Sequence, residues 1–214
     1  MQPSSILIIL LALLLFIVAF VLIKTLIFAR RSSSVIIPFE YNIPRLKQNP
    51  QTLAEHLSSV VQIPTISHED ARQDKKENFK NLQAQLEKLY PLTHQTLKKE
   101  IVDGYSLLYT WQGKNPDLNP VVFMAHQDVV PADEHTLKEW THPPFSGEIA
   151  DGFIWGRGTM DIKCQMISIF EAVESLIAAR YKPDRTIILS FSHNEEVLGT
   201  GAVAAVQHLK NKGI

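Results

Sequence analysis

The stretch from Phe123 to Pro131, FMAHQDVVP, marks the point at which a buried strand ends and polar residues begin. Val121–Ala125 is apolar without a break, as in a strand covered on both faces. His126 and Asp128 follow two positions apart, and in extended backbone such residues point to the same side. A metal-bound imidazole usually has a carboxylate or carbonyl on its other nitrogen. The pair is therefore a candidate metal ligand with its orienting carboxylate, although a surface histidine beside an unrelated aspartate gives the same pattern.

Two later stretches favour the metal interpretation. Gly156–Lys163, GRGTMDIK, places Asp161 after a turn with two glycines and just ahead of a predicted helix. Glu195 and Glu196 are adjacent and follow the apolar strand predicted over Thr186–Phe191. One imidazole and several carboxylates at strand ends and turns are ligands that suit Zn²⁺. A solvated acidic pair would explain the glutamates alone, but the three motifs together predict a metal centre.

The motifs resemble, in type and order, those of the zinc aminoacylase/carboxypeptidase family, which includes aminoacylases, glutamate carboxypeptidase and carboxypeptidase S. The resemblance extends over about residues 45–214 and is closest to the branch of carboxypeptidase S and the N-fatty-acyl-amino-acid synthase/hydrolase. The matching motifs, in chain order, are MAHxDVVP, WxxPPFSG, GRGxxDxK and EExxGxGA.

The resemblance implies a role for each candidate site residue. Asp161 corresponds to a carboxylate that bridges two zinc ions, His126 to a ligand of one ion and Glu196 to a ligand of the other. Glu195 corresponds to the general base, which takes a proton from water and returns it to the leaving amine. Asp128 corresponds to the residue that orients His126. The implied cofactor is Zn²⁺, with two ions in the complete enzyme.

The chain departs from the family pattern at a few positions. Ile162 stands where many relatives have a second acidic residue, and some relatives have a cis peptide bond there that Ile162 makes less expected. Asn194 stands where an aspartate is common and Leu198 where a small residue is common. None of these changes removes an implied ligand or the base, so they bear on the substrate rather than on the chemistry. Cys164, near the bridging position, is interpreted as a structural thiol.

Composition excludes some classes of function. The chain has 214 residues, a formal net charge of −1 and 45% hydrophobic residues, as an ordinary globular protein has. A near-neutral charge argues against a nucleic-acid partner, which requires a basic surface. Cys164 is the single cysteine, so no disulfide can form within the chain.

The N-terminal residues predict a membrane anchor. Ile6–Ile23 is a run of eighteen apolar residues, and Thr25–Ala29 extends it past Lys24. About 20 such residues cross a bilayer as a helix. A cleavable signal peptide is the main alternative, but a basic segment before the run and a small-x-small site after it are absent from the sequence. The basic residues after the run favour a cytoplasmic C-terminal side, whereas secreted relatives favour the opposite side, so the orientation stays open.

The predicted organisation is an anchor over residues 1–30, a linker over 31–49 and the N-terminal part of a catalytic domain over 50–214. Alternating strands and helices predict an α/β fold with a mostly parallel sheet flanked by helices. The site motifs then lie past the carboxyl ends of strands, where ligands bind in such sheets. Predicted helices cover about 50–63, 74–89, 163–179 and 201–212, and predicted strands about 93–102, 105–112, 121–125, 152–156 and 186–191.

The expected function is zinc-dependent hydrolysis of an amide bond beside a free carboxylate, in a dipeptide or an N-acyl amino acid. The alternatives are a deacylase of a small acylated metabolite and an inactive, membrane-anchored relative. Family members need a further carboxylate, a distant histidine and a small inserted domain that often dimerises. The resemblance therefore implies that residues up to Ile214 form a truncated and catalytically incomplete portion, with a possible homodimer contact elsewhere.

Overall fold

The computed structural model describes residues 3–33 and 49–214. The chain divides into two compact units, Met1–Arg45 and Leu46–Ile214. Most of the predicted linker, residues 34–48, lies outside the described residues, so the predicted domain boundaries stay predictions. The helices of the described part are α1 (Pro3–Ser33), α2 (Pro50–Val61), α3 (Lys76–Leu89), α4 (Pro91–Thr96), α5 (Cys164–Ala178) and α6 (Gly201–Asn211).

The first unit contains the long apolar helix α1. Its segment Ser4–Arg30, 27 residues long, is the stretch in the described part that is long and apolar enough to cross a membrane. At 1.5 Å per residue this segment is about 40 Å long, which exceeds a hydrocarbon core of about 30 Å. A signal sequence would satisfy the same criteria, so membrane anchoring stays a prediction.

The second unit begins with α2, whose start agrees with the sequence. Asn49 caps the helix by accepting a hydrogen bond from the backbone N–H of Gln51 at 3.0 Å. Pro50 occupies the first turn, where its missing N–H costs nothing. The next helix, α3, begins at Lys76 rather than at the predicted Asp74 and buries an apolar stripe against the sheet.

The predicted strand over residues 93–102 is wrong in its first half. Residues Pro91–Thr96 form α4, and the strand begins at Lys98. The reason is a tertiary contact, because the carboxylate of Glu174 on α5 accepts the backbone N–H groups of Leu92 and Thr93 at 2.9 and 2.7 Å. These are N–H groups that a short helix leaves unpaired at its start. A carboxylate so far along the chain cannot be found from local sequence.

The strands of the described part form a four-stranded sheet in the order β1-β2-β6-β3 and a separate β4-β5 hairpin. The predicted α/β class with flanking helices is confirmed, but the sheet is mixed rather than mostly parallel. β3 and β6 are parallel, whereas β2 is antiparallel to both β1 and β6. A tight turn at Asp103-Gly104, where both φ angles are positive, joins β1 directly to β2 and so makes that pair a hairpin. In chain order the strands are β1 (Lys98–Val102), β2 (Ser106–Trp111), β3 (Val121–His126), β4 (Ile149–Ala150), β5 (Phe153–Ile154) and β6 (Ile187–Ser192).

Helices cover both faces of the sheet at its centre, but the outer strand β3 exposes three of its six residues, so the expectation of a strand covered on both faces is wrong. On one face α2, α3 and α5 pack against alternate residues of β2, such as Leu107 and Tyr109, and against Phe191 of β6. On the opposite face α6 packs Ala205 against Leu108 and the neighbouring strand. The alternation follows from the two-residue period of a strand. Because β3 lies parallel to β6, the carboxyl ends of these two strands meet at one edge of the sheet.

Candidate metal centre

The five site residues predicted from the sequence lie together at this edge. His126 is the last residue of β3 and pairs in register with Ser192, the last residue of β6. The segment after β6 therefore places its two glutamates beside the imidazole. The Nε2 atom of His126 is 3.2 Å from Oδ1 of Asp161 and 3.5 Å from Oε2 of Glu195.

The ring of His126 has a defined orientation. Its Nδ1 lies 3.0 Å from the carbonyl oxygen of Asp128 and 3.3 Å from the Oδ1 of the same residue. Nδ1 is therefore the protonated nitrogen that donates, and Nε2 faces the carboxylates. Burial lowers the pKa of His126, but the hydrogen bonds and charge of Asp128 and the charge of Glu195 outweigh burial and raise it to about 9. A metal cation bound at Nε2 would take the place of the proton that Nε2 carries when the imidazole is charged.

Asp128 is fully buried and organises the centre. It accepts hydrogen bonds from the Ser67 hydroxyl at 2.6 Å and from the backbone N–H groups of Glu195 and Glu196 at 3.1 and 3.0 Å. Burial raises the pKa of Asp128, but these donors and His126 outweigh it and hold that pKa below its ordinary value. Asp128 therefore stays ionised while it holds the imidazole and the glutamate turn together, as the orienting role requires.

Asp161 lies in an irregular turn, Thr159–Lys163, that leads into α5. The turn begins at Gly158, which has a φ of 79° and packs so closely on Val129 that a Cβ there would clash with the valine side chain. The peptide bond between Asp161 and Ile162 is cis. The expectation that Ile162 disfavours this geometry is therefore wrong.

The donor set fits a metal ion. His126, Asp161 and Glu196 each offer one ligand atom, and these atoms lie within 4.8 Å of one another. Burial raises the pKa of Glu196 above its ordinary value, and the charges of Asp161, Asp128 and Glu195 add to that rise. Several carboxylates crowded around one imidazole repel one another, and a bound cation would relieve that repulsion.

The sequence did not reveal the contacts of the segment before α3. Thr65 donates through its hydroxyl to the carbonyl of Gln127 at 2.6 Å, and Ser67 donates to Asp128. Lys163, fully buried, donates through Nζ to the carbonyls of Val60 and Ile63 at 3.0 and 2.7 Å. The sequence features that make these contacts are the stretch IPTIS at residues 63–67 and the lysine of GRGxxDxK. Their spacing alone does not indicate which residues they contact.

We expect Ser67→Ala to weaken zinc binding about 10- to 100-fold, the usual cost of losing an outer hydrogen-bond partner of a ligand. The substitution leaves the buried Oδ2 of Asp128 without its shortest donor. Isothermal titration of the purified chain with Zn²⁺ measures the effect. Ser168→Ala is the matched control, since that hydroxyl donates to the Cys164 carbonyl on the exposed face of α5. Equal affinities for the two variants would contradict the role given to Ser67.

Comparison with known proteins agrees with this geometry. Residues 122–214 match the model of peptidase family M20/M25/M40. The chain is 40% identical over 183 residues to carboxypeptidase S of Saccharomyces cerevisiae, covering 78% of this chain and 31% of that protein. It is 36% identical over 170 residues to the human N-fatty-acyl-amino acid synthase/hydrolase PM20D1, covering 78% and 33%. The chain thus spans about a third of the length of these relatives.

Solved structures show the same fold. The structure of human carnosine dipeptidase 1 superposes with a TM-score of 0.58 at 19% identity, over 76% of this chain and 35% of that one. An M20 family metallo-carboxypeptidase from Sulfolobus solfataricus superposes with a TM-score of 0.51 at 22% identity, over 65% and 30%. With His126 at the carboxyl end of β3, the two glutamates after β6 and the family model matched over residues 122–214, this part of the chain belongs to the M20/M25/M40 peptidase family.

Proposed function

We propose that the chain carries the metal-binding part of a zinc-dependent hydrolase of amide bonds beside a free carboxylate, in dipeptides or N-acyl amino acids. The observation that carries the proposal is the convergence of His126, Asp161 and Glu196 on one point, with Glu195 beside them. The names of the relatives, a carboxypeptidase and an N-acyl-amino-acid hydrolase, support this substrate class. Both kinds of substrate contain an amide whose nitrogen belongs to an amino acid.

Zn²⁺ suits the centre because the donors are one imidazole and carboxylates. In the proposed arrangement Asp161 would serve both of two ions, His126 would be a ligand of one and Glu196 a ligand of the other. When bound, zinc acts as a Lewis acid that polarises the amide carbonyl and lowers the pKa of water. Asp128 keeps the Nε2 of His126 directed at the centre, because it holds the opposite ring nitrogen.

Glu195 is the proposed general base. Its carboxylate is about half exposed, with 53% of the side chain accessible, and its Oε2 lies 3.5 Å from the Nε2 of His126. It can therefore reach a water molecule at the centre and remain open to substrate. It takes the proton of the attacking water and delivers it to the amide nitrogen as the C–N bond breaks. Glu196 is less exposed than Glu195, and it is the proposed metal ligand of the two.

The described residues supply only part of the ligand set that this chemistry requires. Catalytic zinc normally has three protein ligands and one open position. If Asp161 is shared, the described residues supply two ligands to each ion. We therefore propose that the 214-residue chain by itself binds zinc weakly and turns over no substrate.

A chimera tests both parts of the proposal. In this chimera the segment of this chain aligned with Saccharomyces carboxypeptidase S replaces the corresponding segment of that protein. We expect the chimera to hydrolyse dipeptides or N-acyl amino acids and to lose activity with a chelator, whereas the chain alone stays at background. Analogues without the free carboxylate should be poor substrates. Zinc-dependent turnover by the chain alone would refute the proposed incompleteness, and preference for the analogues would refute the substrate class.

We further propose that Ser4–Arg30 anchors the protein in a membrane as a single span. The segment is predominantly apolar, and its side chains are exposed within the first unit. The expected result is that the chain stays with membranes through a carbonate wash, whereas a variant lacking residues 1–34 becomes soluble. Recovery of the intact, uncleaved chain in the soluble fraction would refute the anchor.

A further inference from the structure

Lys163 is an unusual residue to find buried. Its side chain is fully inaccessible, and within residues 49–214 no carboxylate forms an ion pair with it. Both contacts of Nζ are to backbone carbonyls, those of Val60 and Ile63, at 3.0 and 2.7 Å. Burying an amine without a carboxylate partner costs stability, and an apolar side chain of the same length would fill the space without that cost. Burial lowers the pKa of Lys163 to about 7 and the charge of Asp128 opposes that fall, so the two carbonyls and this carboxylate together offset the cost.

The carbonyl of Val60 lies in the last turn of α2, and that of Ile63 lies just past its end. They also accept the backbone N–H groups of Ile63 and Thr65 at 3.2 and 2.9 Å, so Lys163 adds a second donor to each. A protonated amine at this end of the helix also complements its dipole. The segment that follows is fixed to the loop after β3. The N–H of Val129 donates to the carbonyl of Thr65 at 3.0 Å, and the hydroxyl of Ser67 donates to Asp128. The segment after α2 is therefore linked by hydrogen bonds to the loop that orients His126.

Lys163 itself belongs to the turn that carries Asp161. Lys163 is two residues from Asp161, and its own N–H donates to the carbonyl of Gly158 at 2.9 Å, which closes the turn. Gly158 packs directly on Val129. The Lys163 side chain thus joins the turn that bears one proposed ligand to the segment that braces another.

We propose that Lys163 is a positioning residue that fixes Asp161 relative to His126 by binding the turn of Asp161 to the end of α2. The inference rests on the proposed function, since it concerns the geometry of the same metal centre. The carboxylate of Asp161 is largely exposed, with 73% of the side chain accessible, so its own packing does little to hold it. The buried lysine behind it supplies that constraint.

The test uses the full chain in detergent with Co²⁺ as the probe, because its visible absorption reports coordination. Lys163→Met keeps most of the length and the apolar volume of the lysine side chain and removes both hydrogen bonds. We expect at least a tenfold weaker Co²⁺ affinity and a changed absorption spectrum. Lys163→Gln keeps N–H donors on a shorter side chain, and we expect an intermediate affinity; this variant provides the result if Lys163→Met does not fold.

Leu86→Ala is the control, because Leu86 is a fully buried core residue of α3 outside the centre. It should lower the unfolding temperature and leave the affinity and spectrum unchanged when measured well below that temperature. Wild-type affinity and spectrum in folded Lys163→Met or Lys163→Gln would overturn the positioning role and leave the proposed function standing. Equal losses in Leu86→Ala would also overturn it, by showing general destabilisation. Absence of Co²⁺ binding by both the wild-type chain and the chimera would overturn the metal centre, and the role of Lys163 with it.

Discussion

Replacing Glu195 by glutamine is expected to reduce turnover by the chimera about 10²- to 10⁴-fold, the range that general acid-base catalysis contributes. Glutamine has nearly the same shape but cannot accept the proton of the attacking water. The zinc content should stay at the wild-type level, because the proposal gives the metal to Glu196. The measurements are kcat on an N-acyl amino acid and zinc per protein by elemental analysis of the same sample.

Glu196→Gln is the matched comparison for Glu195→Gln. The two residues are adjacent, and both backbone N–H groups donate to Asp128, so the two substitutions disturb the turn alike. Glu196→Gln should lose zinc and activity together, whereas Glu195→Gln should lose activity alone. Similar zinc loss in the two variants would show that the proposed division between base and ligand is wrong.

Replacing His126 by alanine is expected to remove most of the bound zinc from the chimera. Loss of an outer partner alone costs about 10- to 100-fold in affinity, and loss of a direct ligand should cost more. His126 is buried and its Nε2 faces Asp161, so another side chain cannot readily take its place. Zinc retained after gel filtration, measured by elemental analysis, gives the result.

His208→Ala is the control for His126→Ala. His208 lies on α6, where its Nε2 is 3.3 Å from a carboxylate oxygen of Glu100 on β1, away from the centre. This variant should keep wild-type zinc content and activity. If His126→Ala retained as much zinc as His208→Ala, the imidazole would not be a ligand.

The sequence predicted the site better than it predicted the sheet. His126 and Asp128 could be placed because a strand fixes the direction of residues two apart, and this holds whatever the neighbouring strands do. Asp161, Glu195 and Glu196 were placed by motifs in a known order, and the structure brings ligand atoms of Asp161, Glu196 and His126 within 4.8 Å of one another. The roles assigned to them remain proposals.

The remaining features depend on contacts between residues distant in sequence. The hydrogen bonds of Glu174 to the start of α4 turn a predicted strand into a helix. The antiparallel pairing of β2 with β6 could not be read from a pattern that alternates strands and helices. Ser67 and Lys163 bind partners 61 and about 100 residues away, which neither periodicity nor spacing reveals.

The most direct test of the central claim is an anomalous difference map recorded at the zinc absorption edge from crystals of the zinc-loaded chimera. The account predicts a peak in contact with the Nε2 of His126 and with carboxylate oxygens of Asp161 and Glu196. The same map from the Glu195→Gln variant should keep that peak. Zinc found elsewhere, for example between His142 and Glu148, whose Nδ1 and Oε2 atoms lie 2.8 Å apart, with no peak at His126, would contradict the account.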